Sequence, residues 1–188
     1  LADLMVQVET FGFHLTSLDV RQHSDEHAKV VGMLLSEARV IDRAEDYFDF
    51  TEDRRVEILT REICNPRPLR TPDWHSPLDT LQVMRVFDFI KNARKHISPE
   101  TIQSYIISMT HGVSDLLEVL LLCKESGLLR WKKDEDGSES LESDLDVVPL
   151  FETIDDLHAS EAIMQTLYQN PTYRKHLEAR QMQQPIML

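Results

Sequence analysis

The stretch that most limits the possible folds is Asp146-Val147-Val148-Pro149-Leu150-Phe151-Glu152-Thr153-Ile154-Asp155-Asp156-Leu157. A short apolar run, Val147 to Phe151, meets a carboxylate at once. A hydroxyl, two more carboxylates and an amphipathic helix pattern follow. This order predicts a buried strand, a tight turn and a helix. Glu152 then falls at the carboxyl end of a strand, the end where α/β sheets and barrels keep their chemistry.

The rest of the chain shows no internal repeat in sequence, but it alternates strand and helix patterns. Residues 1–11 read as the tail of a helix. Phe13 to Val20 predicts a strand, rich in β-branched and aromatic residues, that ends before Arg21. Ser24 can cap a helix from about Asp25 to Leu35, and a second helix is expected from Glu52 to Cys64. Three prolines between Pro66 and Pro72 force an extended connector. A long helix from Leu78 to Lys95 carries Leu81, Met84, Phe87 and Ile90 on one face, and Ser98-Pro99-Glu100 predicts a short helix.

Tyr105 to Met109 reads as a second buried strand. Ser114 can cap the next helix, apolar on nearly every side through Lys124 and stopped by Gly127. Lys132 to Asp144 is charged, rich in small residues and without period, which predicts a mobile surface insertion over 132–144. After the strand at Val147, a helix from Ile154 to Tyr168 is broken by Asn170-Pro171. A further helix covers Tyr173 to Arg180, and Pro185 to Leu188 begins a fourth strand. Strands separated by helices predict a parallel sheet with helical crossovers.

Composition narrows the function. A net charge of −13 disfavours nucleic acid and anionic membranes as partners. No apolar run approaches the ~20 residues that span a bilayer. Cys64 and Cys123, alone and far apart, predict reduced thiols in a cytoplasmic protein. Five glycines form neither a phosphate loop nor a dinucleotide fingerprint. The chain opens on Leu1 and closes on an apolar run, and neither end reads as a natural terminus.

Three strands end in candidate site residues: Arg21, Ser108 with Met109, and Glu152. Singly, each has a plain structural use: Arg21 in a surface ion pair, Ser108 on a local backbone group, Glu152 as a helix-start carboxylate. Asp155 and Asp156 fit the first helical turn. His23-Ser24-Asp25-Glu26-His27 matches the H-x-x-E-H pattern of a zinc hydrolase, with His23 and His27 as ligands and Glu26 as base. A cap at Ser24 would put His23 outside the helix and spoil that shared face.

The 149–157 stretch resembles the metal-binding strand of the phosphoenolpyruvate carboxylase family. Three further stretches resemble that family in the same order: Thr10 to Gln22, Ser104 to Met109, and Gln184 to Leu188. The resemblance implies an internal fragment of the enzyme's catalytic region, predominantly helical α/β. It would supply about four strands of a partial parallel (β/α) barrel of TIM type with many extra helices. It implies that Glu152 binds Mg²⁺ or Mn²⁺, that Arg21 contacts the substrate phosphate, and that Leu150 and Met187 flank the substrate's methylene carbon. It also implies phosphoenolpyruvate and bicarbonate as substrates and a homo-oligomeric parent. The family's catalytic histidine and mobile loop arginine match nothing in the chain, so the fragment alone is expected to be inactive. A non-catalytic helical interaction domain of the same fold is the rival reading.

Overall fold

Three parallel strands from distant parts of the chain meet in one sheet, and the helices gather mainly on one side of it. The computed structural model describes residues 1–12, 17–70, 78–133, 137 and 139–188. In chain order the elements are α1 (Ala2–Phe11), β1 (Leu18–His23), α2 (Ser24–Glu37), a 3-10 turn (Ala44–Asp49), α3 (Glu52–Cys64), α4 (Leu78–His96) and β2 (Ile102–Ser108). After these come α5 (Val113–Ser126), β3 (Leu129–Lys133), β4 (Glu139–Ser143), β5 (Asp146–Pro149), α6 (Ile154–Gln169) and α7 (Pro171–Ala179).

The sheet order is β1-β2-β5, all parallel. Val20 lies opposite Tyr105, which lies opposite Val147; one step on, Arg21, Ile106 and Val148 are in register. Because side chains alternate along a strand, the two rows point to opposite faces. The face of Tyr105, Ile107 and Val147 joins the main core. Phe87 of α4 stacks on Tyr105 with ring centroids 4.8 Å apart. The face of Ile106, Val148 and Leu150 holds a separate small apolar cluster.

α5 is the buried centre of the helical layer and packs against α2, α3, α4 and β5. Leu116, Leu117, Val119, Leu120, Leu121 and Leu122 are wholly buried. Its first turn is held by carboxylates, as a helix N-terminus favours. Glu52, the first residue of α3, accepts from the Ser114 amide at 2.7 Å and the Ser114 hydroxyl at 2.8 Å. Asp115 accepts from the amides of His111 and Gly112. Gly127 closes the helix in the left-handed conformation, φ 79°. Glu118 is the one break in this helix's apolar run. It is fully buried, Tyr47 donates to its Oε1 at 2.8 Å, and burial followed by the Asp115 charge pushes its carboxyl well above the usual range.

The described residues form an open sheet of three parallel strands where about four were expected. The fourth strand is reduced to a single parallel bridge, Leu150 with Met187. Much of 132–144 is ordered as an antiparallel hairpin of β3 and β4, in which Trp131 opposes Leu141 and Arg130 opposes Glu142. Trp131 turns inward and donates to the Ile63 carbonyl at 2.8 Å, while Arg130, Lys132 and Glu142 pair on the outer face. Residues 134–136 and 138 of that segment, Phe13 to Thr16 of the first strand, Pro72 and the Leu81 side chain lie outside the described residues. Ser98 to Thr101 is a turn, closed by the Thr101 amide on the Ser98 carbonyl, and not a helix.

Candidate functional site

All three parallel strands end on one side of the sheet, and the face of Ile106 and Val148 continues there into polar residues. Arg21 sits near the end of β1, Ser108 ends β2, and Glu152 follows β5 by three positions. The alternation that puts Ile106 on this face also puts Ser108 there, and the same step carries Val148 to Leu150 and Glu152.

The side chains meet. Arg21 donates through Nε to Ser108 Oγ at 2.5 Å and through Nη2 to Glu152 Oε1 at 2.5 Å. The second carboxylate oxygen, Glu152 Oε2, accepts from the Met109 amide at 3.0 Å. The Arg21 side chain is 52% exposed and that of Glu152 31%, so the pair is open to ligands. Met109 adopts φ 56°, a left-handed conformation that costs a non-glycine residue energy and clusters at functional sites. Its carbonyl is anchored by Ser24 Oγ at 2.7 Å. Thr110 ties the turn to the next strand, its amide donating to the Leu150 carbonyl.

Leu150 and Met187 are also brought together. Leu150 is buried with Ile106 and Val148, and Met187 is its bridge partner at 39% exposure. Asp156 is the N3 residue of a capping box with Thr153, as a helix-start carboxylate should be. It does more than that, because His111 Nδ1 bonds its Oδ1 at 2.7 Å. Hydrogen bonds from Thr153 and His111 outweigh burial and hold the Asp156 carboxyl below its usual range. A polar cleft of about 270 Å³ lies beside this pair, lined in part by Ser24, Glu52, Arg55, His111 and Asp115.

The H-x-x-E-H residues have other employment. His23, not Ser24, is the N-cap of α2, its Nδ1 accepting from the Asp25 amide. His27 is buried against Tyr105, bonded to its hydroxyl at 2.9 Å, and Glu26 pairs with Lys29. Among the described residues no group of three or more His, Cys, Asp or Glu is placed to hold a metal ion.

The Met109 amide carries no side-chain signal in the sequence, and a serine before a helix, as at Ser24, reads first as a cap.

The family model for phosphoenolpyruvate carboxylase matches residues 1–188. The chain belongs to the phosphoenolpyruvate carboxylase family. The phosphoenolpyruvate carboxylase of Rhodothermus marinus is 44% identical over 190 residues, covering all of this chain and 20% of that protein. The phosphoenolpyruvate carboxylase of Nocardia farcinica is 43% identical over 191 residues, again all of this chain and 20% of the relative. That of Roseiflexus castenholzii is 39% identical over 188 residues, covering 19% of it. The chain thus spans about a fifth of the length of the phosphoenolpyruvate carboxylases it matches.

Glu152 suits a hard cation as one ligand of several. Each of its oxygens accepts one hydrogen bond and keeps a lone pair, and Mg²⁺ sites commonly use only one or two carboxylates beside substrate oxygens and water.

Proposed function

We propose that this chain is one segment of the catalytic region of a phosphoenolpyruvate carboxylase, joining bicarbonate to phosphoenolpyruvate to give oxaloacetate and phosphate. The observation that carries the reading is the convergence of Arg21 and Glu152, from strands 131 positions apart, on the carboxyl side of one parallel sheet. The sheet is then one arc of a (β/α) barrel of TIM type, closed by strands from the rest of a longer protein.

Arg21 holds the substrate phosphate, its planar fork able to donate two hydrogen bonds to that anion. Ser108 fixes the guanidinium through Nε, so little side-chain entropy is lost when the phosphate arrives. Glu152 is a ligand of Mg²⁺ or Mn²⁺, which when bound stabilises the negative charge that develops on substrate oxygens. Leu150 and Met187 form an apolar wall beside the methylene carbon and limit water there. The groups that move protons come from outside this chain, so the chain alone has no activity.

The parent works in the cytoplasm, where Cys64 and Cys123 stay reduced, and it is a homo-oligomer. The exposed apolar residues of α1, Leu4, Met5, Val6 and Phe11, support burial of that helix against further protein. Among the described residues no helix is long and apolar enough to cross a membrane.

The test is Glu152→Gln in the full-length protein. Activity should fall and recover in part as Mn²⁺ is raised, because the amide keeps the shape and loses the charge. Unchanged metal dependence would remove Glu152 from the site.

A further inference from the structure

Glu152 sits on two hydrogen-bond donors, the Arg21 guanidinium and the Met109 amide. Its two donors come from different strand ends, and each is fixed by a third group. Arg21 is held through Nε by Ser108 Oγ, and Met109 is held through its carbonyl by Ser24 Oγ. The left-handed turn at Met109 aims the amide at Glu152 Oε2. Glu152 itself lies between β5 and the first residue of α6, outside regular structure and part-exposed. Each donor is tethered by a third group, and among the described residues the carboxylate is held by these two donors alone.

From this we infer that Arg21 Nη2 and the Met109 amide form an oxyanion cradle for the ligand, in which the Glu152 carboxylate sits as an internal plug. A group with two oxygens on one centre, phosphate or carboxylate, can take the same two hydrogen bonds. The inference rests on the reading of Arg21 and Glu152 as a binding pair, and it adds the Met109 main chain as a ligand-binding group. It also sets how the two ligands depend on each other. A divalent cation that takes Glu152 as a ligand draws on its charge and loosens its hold on the cradle, and an anion that takes the cradle frees Glu152. Each ligand therefore strengthens the binding of the other. The pair is part-exposed, so the effect of unplugging is modest, about three- to tenfold in affinity.

The experiment is calorimetric titration of the full-length protein with inorganic phosphate and, separately, with oxalate, in the absence of divalent cations. Glu152→Ala should tighten one or both anions about three- to tenfold. Glu152→Gln, which keeps the bulk, should act in the same direction with a smaller gain. Asp155→Asn removes a nearby exposed charge without touching the cradle and should change anion affinity less than about twofold. Adding Arg21→Gln to Glu152→Ala should abolish the gain. Gain with phosphate alone, oxalate alone or both supports the cradle and says which oxyanion it prefers. No gain in Glu152→Ala, or an equal gain in Asp155→Asn, overturns it. Mn²⁺ affinity of the same variants, read by electron paramagnetic resonance, judges the functional reading separately. If Glu152→Ala leaves Mn²⁺ binding unchanged, Glu152 is no metal ligand, whatever the anions do.

Discussion

The two faces of the three-stranded sheet are made from the same strands and obey different rules. On one, Tyr105, Ile107 and Val147 pack into a continuous core with α4 and α5. On the other, Ile106, Val148 and Leu150 form a small cluster that gives way to Arg21, Ser108 and Glu152. The first face is over-determined by many apolar neighbours. The second is held by a few hydrogen bonds, one of them from a strained main chain. Stability should therefore live on the first face and binding on the second.

The largest expected effect falls on the core face. Phe87 is wholly buried on Tyr105, and Phe87→Ala should cost about 3–5 kcal/mol, read by thermal unfolding. A loss under about 1 kcal/mol would mean the core relaxes into the gap and the division between faces is weaker than drawn.

Next comes acid. Burial lowers His27 from 6.5 to about 3 and His176 from 6.5 to about 4. A folded value below the unfolded one contributes stability that is present above pH 6.5 and is lost as pH falls through the folded value. Unfolding midpoints should thus decline between pH 6.5 and about 3. His27→Gln should flatten part of that decline. A variant with the wild-type slope would take His27 out of it.

Glu118 runs the other way. Its folded value is raised, so its contribution is full below the unfolded value of 4.5 and is lost as pH rises toward the folded one. Glu118→Gln keeps an acceptor for the Tyr47 hydroxyl and cannot ionise. It should stabilise the protein more at pH 8 than at pH 4, a gap two denaturation curves can measure. Equal effects at both pH values would count against a neutral Glu118.

The smallest stability change should come from the site face. Arg21→Lys should shift unfolding by no more than about 0.5 kcal/mol, since the side chain is half exposed. It should still lower kcat/KM for phosphoenolpyruvate in the full-length protein, because the fork is lost. A destabilised but kinetically normal variant would invert the comparison.

What could be read from sequence follows the same line. The helices of the core face announce themselves: Glu52 to Cys64 is expected and observed with the same ends, and Leu78 to Lys95 differs by one residue. Their apolar spacing and end charges are local information. The β3–β4 hairpin is hard to read in line because its logic is across strands. Lys132, Arg130 and Glu142 look like aperiodic charge in line, yet they pair on one face while Leu129, Trp131 and Leu141 turn inward. That alternation on either side of Gly137 is the sign a hairpin leaves in sequence. The ends of strands bearing Arg21 and Glu152 could be picked out from residue type. Their meeting through Ser108 and the Met109 amide could not, since no spacing in the chain encodes it.

The order of the strands has a consequence for how the chain is made. β2 is central, so among the described residues β1 meets its sheet partner only once residues 102–108 have been synthesised, and β5 comes later still. Arg21 is 87 positions ahead of Ser108 and 131 ahead of Glu152. At ~5–20 residues per second, the arginine leaves the ribosome on the order of ten seconds before its carboxylate exists. Contacts this far apart in sequence close slowly, whereas α5 and the β3–β4 hairpin can form from near neighbours.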